Sequence, residues 1–412
     1  MSELARNGGP RAAEPLQIPE WPQITDACRE YVNDALESGN WCRNGGGTYC
    51  DRLEAEFADY HDAEHAIAVS NGTIAIELAL RACGVQPGDE VIVPSYSFIA
   101  SASAVPYVGA VPRFVDTDPE TYNIDPESLA DVITEETVGV VGVHFAGYPM
   151  DFDEILPIIE DNDLFLIEDA AHAQGSEWKG RKVGAIGDVG TFSFQESKSL
   201  PSGEGGIVVT DDDVIADRIR LMHNIGRLQG ETRYHHRTLS SNGRLSELAA
   251  ALALAQLETL PEENEIRERN ESVLREELDG IGGITTKPRD ERITARGYCL
   301  FNFRYDEDAF GGLSRDAFIE AMNAEGVPVG DGYEMPIYRQ PAFYREQVRA
   351  LLPSDTTLPN YRTLHLPGAE RLCRENVAFS HKVLLADETG IRSIADAIRK
   401  IQANADELRS RN

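Results

Sequence analysis

The sequence has 412 residues, of which 42% are hydrophobic, so the chain is long enough to form one large and one smaller domain. It carries 70 acidic and 38 basic residues, which gives a formal net charge of −32. A field of this sign repels nucleic-acid phosphates and anionic lipid headgroups, so we expect neither nucleic acid nor a membrane as a partner. The scarcity of lysine on such an acidic chain favours adaptation to a high-salt cytoplasm.

The N-terminus and the cysteines both point to a cytoplasmic protein. Residues 1–15 are rich in Gly, Pro and Ala and lack an apolar signal segment, so we expect a flexible leader. No apolar stretch approaches the roughly 20 residues that span a bilayer. The 6 cysteines show no C-x-x-C pair and no regular spacing, which favours free thiols over disulfides or a cysteine-rich zinc site.

Strand and helix patterns alternate through the first half of the chain. An amphipathic helix is predicted over 25–36 and is followed by a glycine-rich loop. Short β-branched runs then predict strands at 66–70, 90–94, 111–116, 138–145, 164–169 and 205–210, with helical patterns between them. This alternation is typical of βαβ units that build a mostly parallel sheet with helices on both faces.

A long helical pattern over 246–260, followed by a charged helix, indicates the crossing into a second domain. Strand and helix patterns continue from there to the C-terminus. We therefore predict an α/β protein with a large domain over 16–258, built on a mostly parallel sheet, and a smaller C-terminal α/β domain over 259–412.

Three segments at strand ends carry residues suited to catalysis or ligand binding. Gly72 and Thr73 open a helix, where free N–H groups attract a phosphate, although the same pair suits an ordinary helix cap. Asp169 ends an apolar strand, at the edge where such sheets bind ligands, and is equally suited to capping the next helix. Lys198 lies between an apolar strand and a glycine-rich turn, where desolvation activates an amine, although most lysines are solvated surface residues.

The combination of these segments is more specific than any one of them. A pyridoxal phosphate cofactor requires a Schiff-base lysine, a carboxylate at its pyridine nitrogen and a phosphate cradle. The segments SNGT, PSYSFIASASAV, EDAAHAQG, FSFQESKSLPSGEGG and SSNGRLSELAAALALAQLE, in this order, resemble the DegT/DnrJ/EryC1/StrS aminotransferases. The resemblance extends over about 18–401 and implies the type I fold of pyridoxal-phosphate enzymes, the aspartate-aminotransferase fold, in a homodimer.

The resemblance also implies which residues act on the cofactor ring. Lys198 corresponds to the lysine that forms the Schiff base, and Asp169 to the partner of the pyridine nitrogen. His172 corresponds to a residue near the phenolic oxygen of the cofactor. These assignments predict Lys198 and Asp169 as the catalytic residues.

The remaining cofactor-binding residues are implied in the same way. Gly72 and Thr73 correspond to backbone donors to the phosphate, and the Ser193 hydroxyl joins them. Phe98 corresponds to the aromatic ring that stacks on the pyridine, although it begins an apolar segment and would also suit the core. Asn242 corresponds to a residue that reaches a phosphate across the dimer, although it would also suit a turn.

The resemblance implies ping-pong transfer of an amino group from glutamate or glutamine to a keto sugar linked to a nucleotide or to a keto cyclitol. Gln195 stands where many sugar-nucleotide members have histidine, and this resembles the branch of inosose aminotransferases and 3-amino-5-hydroxybenzoate synthases. A pyridoxal-phosphate-dependent lyase or dehydratase of the latter kind is therefore one alternative, and a non-catalytic cofactor-binding regulator is another. Arg43, Arg227 and Arg244 are candidates to meet a donor carboxylate or a nucleotide diphosphate.

A further pattern formally matches a zinc-peptidase motif. His61, Glu64 and His65 fit H-x-x-E-H. The pattern runs directly into a predicted strand, and no third ligand is evident, so we expect no metal site.

Overall fold

A central sheet flanked by helices organises the larger part of the molecule. The structure is a computed structural model that describes residues 3–43, 47–228 and 234–409. Within these residues the strands are β1 (His65–Val69), β2 (Glu90–Pro94), β3 (Val111–Val115), β4 (Thr137–Val143), β5 (Phe165–Asp169), β6 (Glu177–Trp178), β7 (Arg181–Lys182), β8 (Val189–Ser193), β9 (Gly206–Thr210), β10 (Ile284–Thr286), β11 (Ile293–Ala295), β12 (Leu300–Tyr305) and β13 (Asn376–Ser380).

The helices alternate with these strands in the first half of the chain and dominate the second half. The α-helices of the same residues are α1 (Asp26–Glu37), α2 (Tyr49–Tyr60), α3 (Gly72–Ala82), α4 (Ala100–Tyr107), α5 (Pro126–Val132), α6 (Phe152–Asp161), α7 (Asp213–Met222), α8 (Glu247–Leu278), α9 (Arg315–Glu325), α10 (Arg345–Arg349), α11 (Pro367–Glu375), α12 (Glu388–Ala403) and α13 (Ala405–Arg409). The described helices include none that is both long and apolar enough to cross a membrane.

The large sheet has the strand order β1-β9-β8-β5-β4-β2-β3. The neighbours β3, β2, β4, β5 and β8 run parallel to one another, whereas β9 pairs antiparallel with both β8 and β1. The predicted mostly parallel α/β fold is therefore confirmed. Parallel strands bring their carboxyl ends to one edge, and this edge is where α/β sheets bind ligands.

The local sequence explains why these elements form. Interior strands such as β2 and β4 are buried on both faces, and they are correspondingly apolar runs rather than alternating ones. Several helices that follow strands begin at a short polar side chain that accepts a backbone N–H of the first turn, namely Asn71, Asp125, Asp151 and Asp212. The predicted helix over 25–36 is confirmed as α1, which Thr25 caps by accepting the Cys28 N–H.

A second hydrophobic core lies in the C-terminal part of the chain. Strands β10, β12 and β13 form a three-stranded antiparallel sheet, and α9 and α12 bury apolar faces in the same cluster. Helix α8 runs without interruption from the large core into this second one, through the predicted domain boundary at 258. The division into 16–258 and 259–412 stays a prediction.

The N-terminal segment packs against this second core, so the expectation of a flexible leader is wrong. Leu4 is only 1% exposed and lies in the C-terminal hydrophobic cluster. The buried Glu325 carboxylate accepts the backbone N–H groups of Ala5 and Ala12, both at 2.9 Å, and the Lys400 amine at 2.8 Å. Composition suggested disorder, but the few apolar residues of the segment are used in packing.

Candidate active site

A cavity of about 900 Å³ opens at the carboxyl edge of the parallel strands. It brings together seven of the eight predicted catalytic and cofactor-binding residues, namely Gly72, Thr73, Phe98, Asp169, His172, Ser193 and Lys198. Side chains that the sequence analysis did not single out also line it, among them Glu77, Ser97, Tyr107, Glu204, Cys299 and Tyr333. Residues spread over more than 250 positions thus form one site.

The N-terminus of α3 forms one end of the cavity. The Asn71 side chain caps the helix by accepting the Ile74 N–H at 2.9 Å, and helix geometry leaves the N–H groups of Gly72 and Thr73 without an intrahelical acceptor. A Cβ atom built on Gly72 would lie 2.9 Å from Cβ of Ser193, so only glycine allows the two segments to approach this closely. The result is a cradle of backbone donors and a hydroxyl that fits a phosphate.

Asp169 stands at the end of β5, deep in the cavity and only 7% exposed. Its Oδ2 accepts the Ser101 hydroxyl at 2.7 Å, and its Oδ1 accepts the Ala171 N–H at 3.2 Å. These two donors fix the carboxylate and leave it further acceptor capacity. It is therefore suited to receive an N–H from a protonated ring nitrogen.

Lys198 lies in the turn that connects β8 to β9. Its backbone N–H is bonded to Gln195 O at 2.8 Å, and the turn is tied down by the Glu196 N–H to Gly203 O bond at 3.0 Å. From outside the turn, Trp21 Nε1 donates to Glu196 O at 3.2 Å. These hydrogen bonds fix the turn that bears Lys198, and its side chain lines the same cavity as Asp169.

His172 lies between the cavity and the turn that follows β4. Its Nδ1 accepts the Ala146 backbone N–H at 3.3 Å, and its ring packs edge-on against Phe145, with centroids 5.7 Å apart. Burial, with smaller effects from Lys198 and Lys287, holds the pKa of His172 well below its usual range. A neutral imidazole that accepts at Nδ1 carries its proton on Nε2.

Phe98 and Asn242 occupy exposed positions in one copy of the chain. The Phe98 side chain is 55% exposed and lines the cavity, so it does not belong to the core. Asn242 is exposed, lies outside the cavity lining and accepts the Arg244 N–H at 3.3 Å. The monomer therefore brings Phe98 to the other site residues and leaves Asn242 apart from them.

The three candidate anion-binding arginines do not line the cavity. Arg43 is buried in an ion pair with Glu54. Arg244 donates to Asn224 Oδ1 at 3.0 Å, and the guanidinium of Arg227 lies 5.6 Å from the centroid of the Tyr234 ring.

A buried carboxylate behind Asp169 was missed in the sequence analysis. Glu168 is fully buried and accepts hydrogen bonds from His144 Nε2 at 2.8 Å and from the N–H groups of Gly184, Ile186 and Gly187 at 2.6, 2.8 and 2.6 Å. Successive strand residues face opposite sides of a sheet, so two adjacent acids at the end of β5 must place one carboxylate on each side. The alternation of side chains along β5 could therefore have identified Glu168 as a second carboxylate that faces away from the cavity.

The residues of the H-x-x-E-H pattern lie in two different environments. His61 is buried against Phe57, its Nδ1 is 3.2 Å from Val183 O, and burial lowers its pKa to about 3. Glu64 and His65 have ligand atoms within 4.8 Å of one another and of Asp213; Glu64 and Asp213 are exposed and His65 is half-buried. The two histidines of the pattern thus do not belong to one cluster of ligand atoms.

Comparison with known proteins identifies the family. A profile of the DegT/DnrJ/EryC1/StrS aminotransferase family matches residues 22–383. The chain is 37% identical over 399 residues to the 3-amino-5-hydroxybenzoate synthase of Amycolatopsis mediterranei, covering 94% of this chain and 98% of that protein. It is also 37% identical over 424 residues to the L-glutamine:scyllo-inosose aminotransferase of Streptomyces griseus, covering 99% of each.

Superposition on solved structures of similar proteins supports the family assignment. That of 3-amino-5-hydroxybenzoic acid synthase superposes with a TM-score of 0.83 at 35% identity, covering 94% of this chain and 100% of the other. That of DesI in the presence of its TDP-sugar product superposes with a TM-score of 0.83 at 31% identity, covering 99% and 98%. The phosphate cradle, the Asp169 carboxylate and the Lys198 amine fit pyridoxal phosphate. The chain therefore belongs to the DegT/DnrJ/EryC1/StrS family and is a pyridoxal-phosphate-dependent aminotransferase.

Proposed function

We propose that this enzyme transfers the amino group of L-glutamine or L-glutamate to the keto group of a cyclitol by ping-pong kinetics. The observation that carries the proposal is the single cavity that joins Lys198, Asp169 and the N-terminus of α3. Relatives at 36–37% identity are named as L-glutamine:scyllo-inosose and L-glutamine:2-deoxy-scyllo-inosose aminotransferases, which supports the donor and the class of acceptor.

The proposed catalytic roles follow from the chemistry of two side chains. When bound, pyridoxal phosphate accepts the electron pair released at the carbon that carries the amino group. The Lys198 amine is the base that removes the proton from this carbon of the donor, and later the acid that delivers a proton to the acceptor carbon. The Asp169 carboxylate, held by Ser101 and Ala171, keeps the ring nitrogen protonated.

Other side chains hold the cofactor in this proposal. The N–H groups of Gly72 and Thr73 and the Ser193 hydroxyl bind the phosphate, because they form the donor cradle at the start of α3. Phe98 covers the face of the ring. His172, with Nδ1 already occupied, offers its Nε2–H to the phenolic oxygen.

The proposal includes a homodimer in the cytoplasm, in which Asn242 of each chain reaches the phosphate site of the other. Exposed aromatic side chains at the cavity support this arrangement, since Phe98 is 55% and Tyr107 60% exposed in a single chain. Large exposed aromatic groups at a cavity rim are typical of a protein interface. Sedimentation of the wild type should give twice the mass of the chain, and a monomer would refute this part.

The charge of the cavity favours an electrically neutral acceptor. Among the described residues, no arginine lines it, and its charged side chains besides Asp169 and Lys198 are Glu204 and Glu77, of which Glu77 is paired with Arg81 at 3.2 Å. Carboxylates repel a nucleotide diphosphate, whereas they accept hydrogen bonds from the hydroxyl groups of a polyol. We therefore favour the free keto cyclitol over a nucleotide-linked keto sugar.

The first half of the reaction is tested by the visible spectrum. The purified protein, in high salt with pyridoxal phosphate, should show a visible cofactor band that shifts towards that of pyridoxamine phosphate when L-glutamine or L-glutamate is added. Lys198→Ala should lose both the band and its response. Lys179→Ala removes a lysine that is 52% exposed and should behave as the wild type. A wild type that no amino donor converts would refute the aminotransferase reaction.

The second half distinguishes the acceptors. The pyridoxamine form should be discharged by scyllo-inosose but not by a TDP-linked keto sugar, and the amine product should equal the donor consumed. The similarity to 3-amino-5-hydroxybenzoate synthase favours one alternative, a dehydration that yields an aromatic product. Formation of an ultraviolet-absorbing aromatic product, in place of an amino cyclitol, would establish that alternative.

A further inference from the structure

A lysine of the C-terminal part of the chain is buried beside the cavity. Lys287 directly follows β10, is only 4% exposed and donates its amine to the Phe145 carbonyl at 2.7 Å. Its Nζ lies 4.7 Å from the ring centroid of Tyr122 and 5.2 Å from those of Phe145 and Tyr148. Burying an amine in an aromatic cage with one carbonyl acceptor costs desolvation free energy, and lysine is accordingly rarely buried.

The carbonyl that Lys287 holds belongs to the peptide plane that contacts His172. Phe145 C=O and Ala146 N–H are the two polar groups of one planar peptide unit, and they point in opposite directions. The carbonyl faces Lys287, and the N–H donates to His172 Nδ1 at 3.3 Å. The orientation of one group therefore fixes the orientation of the other.

The backbone at this point is strained, so the plane needs support. Ala146 has φ of 56°, in the left-handed region that residues with a Cβ seldom adopt. Such a conformation persists only where the surroundings over-determine it. The bond from Lys287 is one such constraint, and it acts across 142 positions of the sequence.

We propose that Lys287 is a positioning residue for His172: it holds the Phe145–Ala146 peptide so that His172 Nδ1 is always an acceptor and the ring proton stays on Nε2. The imidazole then presents one defined donor to the cavity that it lines. The benefit to the cofactor rests on the proposed function, whereas the fixed tautomer is a property of the protein alone.

The charges around Lys287 do not remove its hydrogen bond. Burial, with smaller effects from Arg296 and Arg275, holds the pKa of Lys287 well below its usual range, while Asp118 and Glu271 act in the opposite direction. An amine keeps N–H groups in both protonation states, so it donates to the carbonyl in either. The positioning role therefore does not depend on the charge of Lys287.

The test is the tautomer of His172 in the full-length protein, measured by long-range proton–nitrogen NMR with ¹⁵N-labelled histidine. The chain has 9 histidines, and loss of one signal set in His172→Asn assigns the resonance. In the wild type, with or without pyridoxal phosphate, we expect a single neutral form protonated on Nε2. A wild type protonated on Nδ1 would overturn the proposal without any lysine variant.

Lys287→Met removes the donor and keeps an unbranched apolar chain in the cage. We expect a mixture of both His172 tautomers in this variant and a cofactor affinity lower by roughly 3- to 10-fold, the loss of one hydrogen bond. If the variant does not fold, Lys287→Leu also lacks the donor and has the same expected result. An unchanged single tautomer in a folded variant would refute the role of Lys287.

The matched control is Lys400→Met. Lys400 is also buried and also donates to a backbone carbonyl at 2.7 Å, that of Pro10, but in the C-terminal core away from the cavity. This variant should lose stability and keep the wild-type His172 tautomer. The same tautomer mixture in both variants would show a general loosening and would contradict a specific effect of Lys287. A protein that fixes the tautomer but fails to react with amino donors would refute the proposed function alone.

Discussion

Replacing Glu168 by glutamine should destabilise the protein severely, although the change is nearly isosteric. Each oxygen of this carboxylate accepts two N–H groups, since Oε2 receives those of His144 and Gly184, and Oε1 receives those of Ile186 and Gly187. A glutamine amide has one accepting oxygen, so its NH2 group would face two donors in either orientation. His144 cannot adapt, because its Nδ1 already accepts the Met150 N–H at 3.2 Å.

The size of the effect follows from the bonds lost. A hydrogen bond to a charged group contributes about 1.5–3 kcal/mol, so losing two of them costs about 3–6 kcal/mol. The total stability of a folded domain is on the order of 5–15 kcal/mol. Glu168→Gln should therefore remove a large share of the free energy of unfolding and displace the adjacent Asp169.

Denaturant unfolding of the cofactor-free protein measures this effect, with Glu160→Gln as the control. Glu160 is exposed on α6, so the same chemical change there should alter the unfolding free energy by less than about 0.5 kcal/mol. Equal unfolding midpoints for Glu168→Gln and the wild type would refute the reasoning. They would mean that the loop over 184–187 is held by other contacts.

Three further predictions follow from buried groups. Burial lowers the pKa of His61 to about 3. As the pH falls below about 6.5, only the unfolded chain therefore binds this proton, and because of His61 the free energy of unfolding should fall by about 1.4 kcal/mol per pH unit. In His61→Phe, the slope of the free energy of unfolding against pH should be smaller by the equivalent of one proton between about pH 6 and pH 4, as measured by denaturant titration. An unchanged slope would contradict the lowered pKa of His61. Deleting residues 2–15 should lower the melting temperature by several degrees, because it exposes the site of Leu4 and removes two donors to Glu325; an unchanged melting curve would contradict the packing. Ser101→Ala should weaken cofactor binding by roughly 3- to 10-fold, since Asp169 loses its 2.7 Å donor, whereas Ser103→Ala on the same helix should not, as titration of the cofactor fluorescence will show.

Local pattern was sufficient to predict most strands of the large sheet and to place most of the candidate site residues at its carboxyl edge. Apolar runs bounded by turn residues gave the strands, because strands buried on both faces must be continuously apolar. The residues of the cavity were predictable because parallel strands deliver their carboxyl ends to one edge. Lys198 and Asp169 were therefore expected near each other, and the cavity brings them together.

Contacts between distant parts of the chain were not predictable. The bond between Lys287 and Phe145 joins residues 142 positions apart, and that between Ala5 and Glu325 joins residues 320 apart. Each of these donors looks solvent-exposed in its local sequence, because composition alone assigns lysine and a Gly/Pro-rich terminus to the surface. Only the tertiary fold shows that they are buried and bonded.

Glu168 is an intermediate case, since strand alternation predicts which side of the sheet it faces but not what it meets there. A carboxylate on the buried side needs donors, and a sequence cannot name them when they come from the distant loop over 184–187 and from the residue after β4. The sequence therefore showed that Glu168 needs hydrogen-bond donors, but it did not identify them.

The floor and the rim of the cavity differ in how far one chain determines them. On the floor, Asp169, His172 and the start of α3 each have hydrogen-bond partners within the chain that fix their orientation. At the rim, Phe98 is half exposed and Asn242 lies apart from the cavity. The floor can orient the cofactor within a single chain, because the hydrogen bonds that fix its residues come from that chain. In the proposed homodimer the second copy would contribute Asn242 to the phosphate site and cover the half-exposed rim, so we expect acceptor specificity to depend on it more than the orientation of the cofactor ring does.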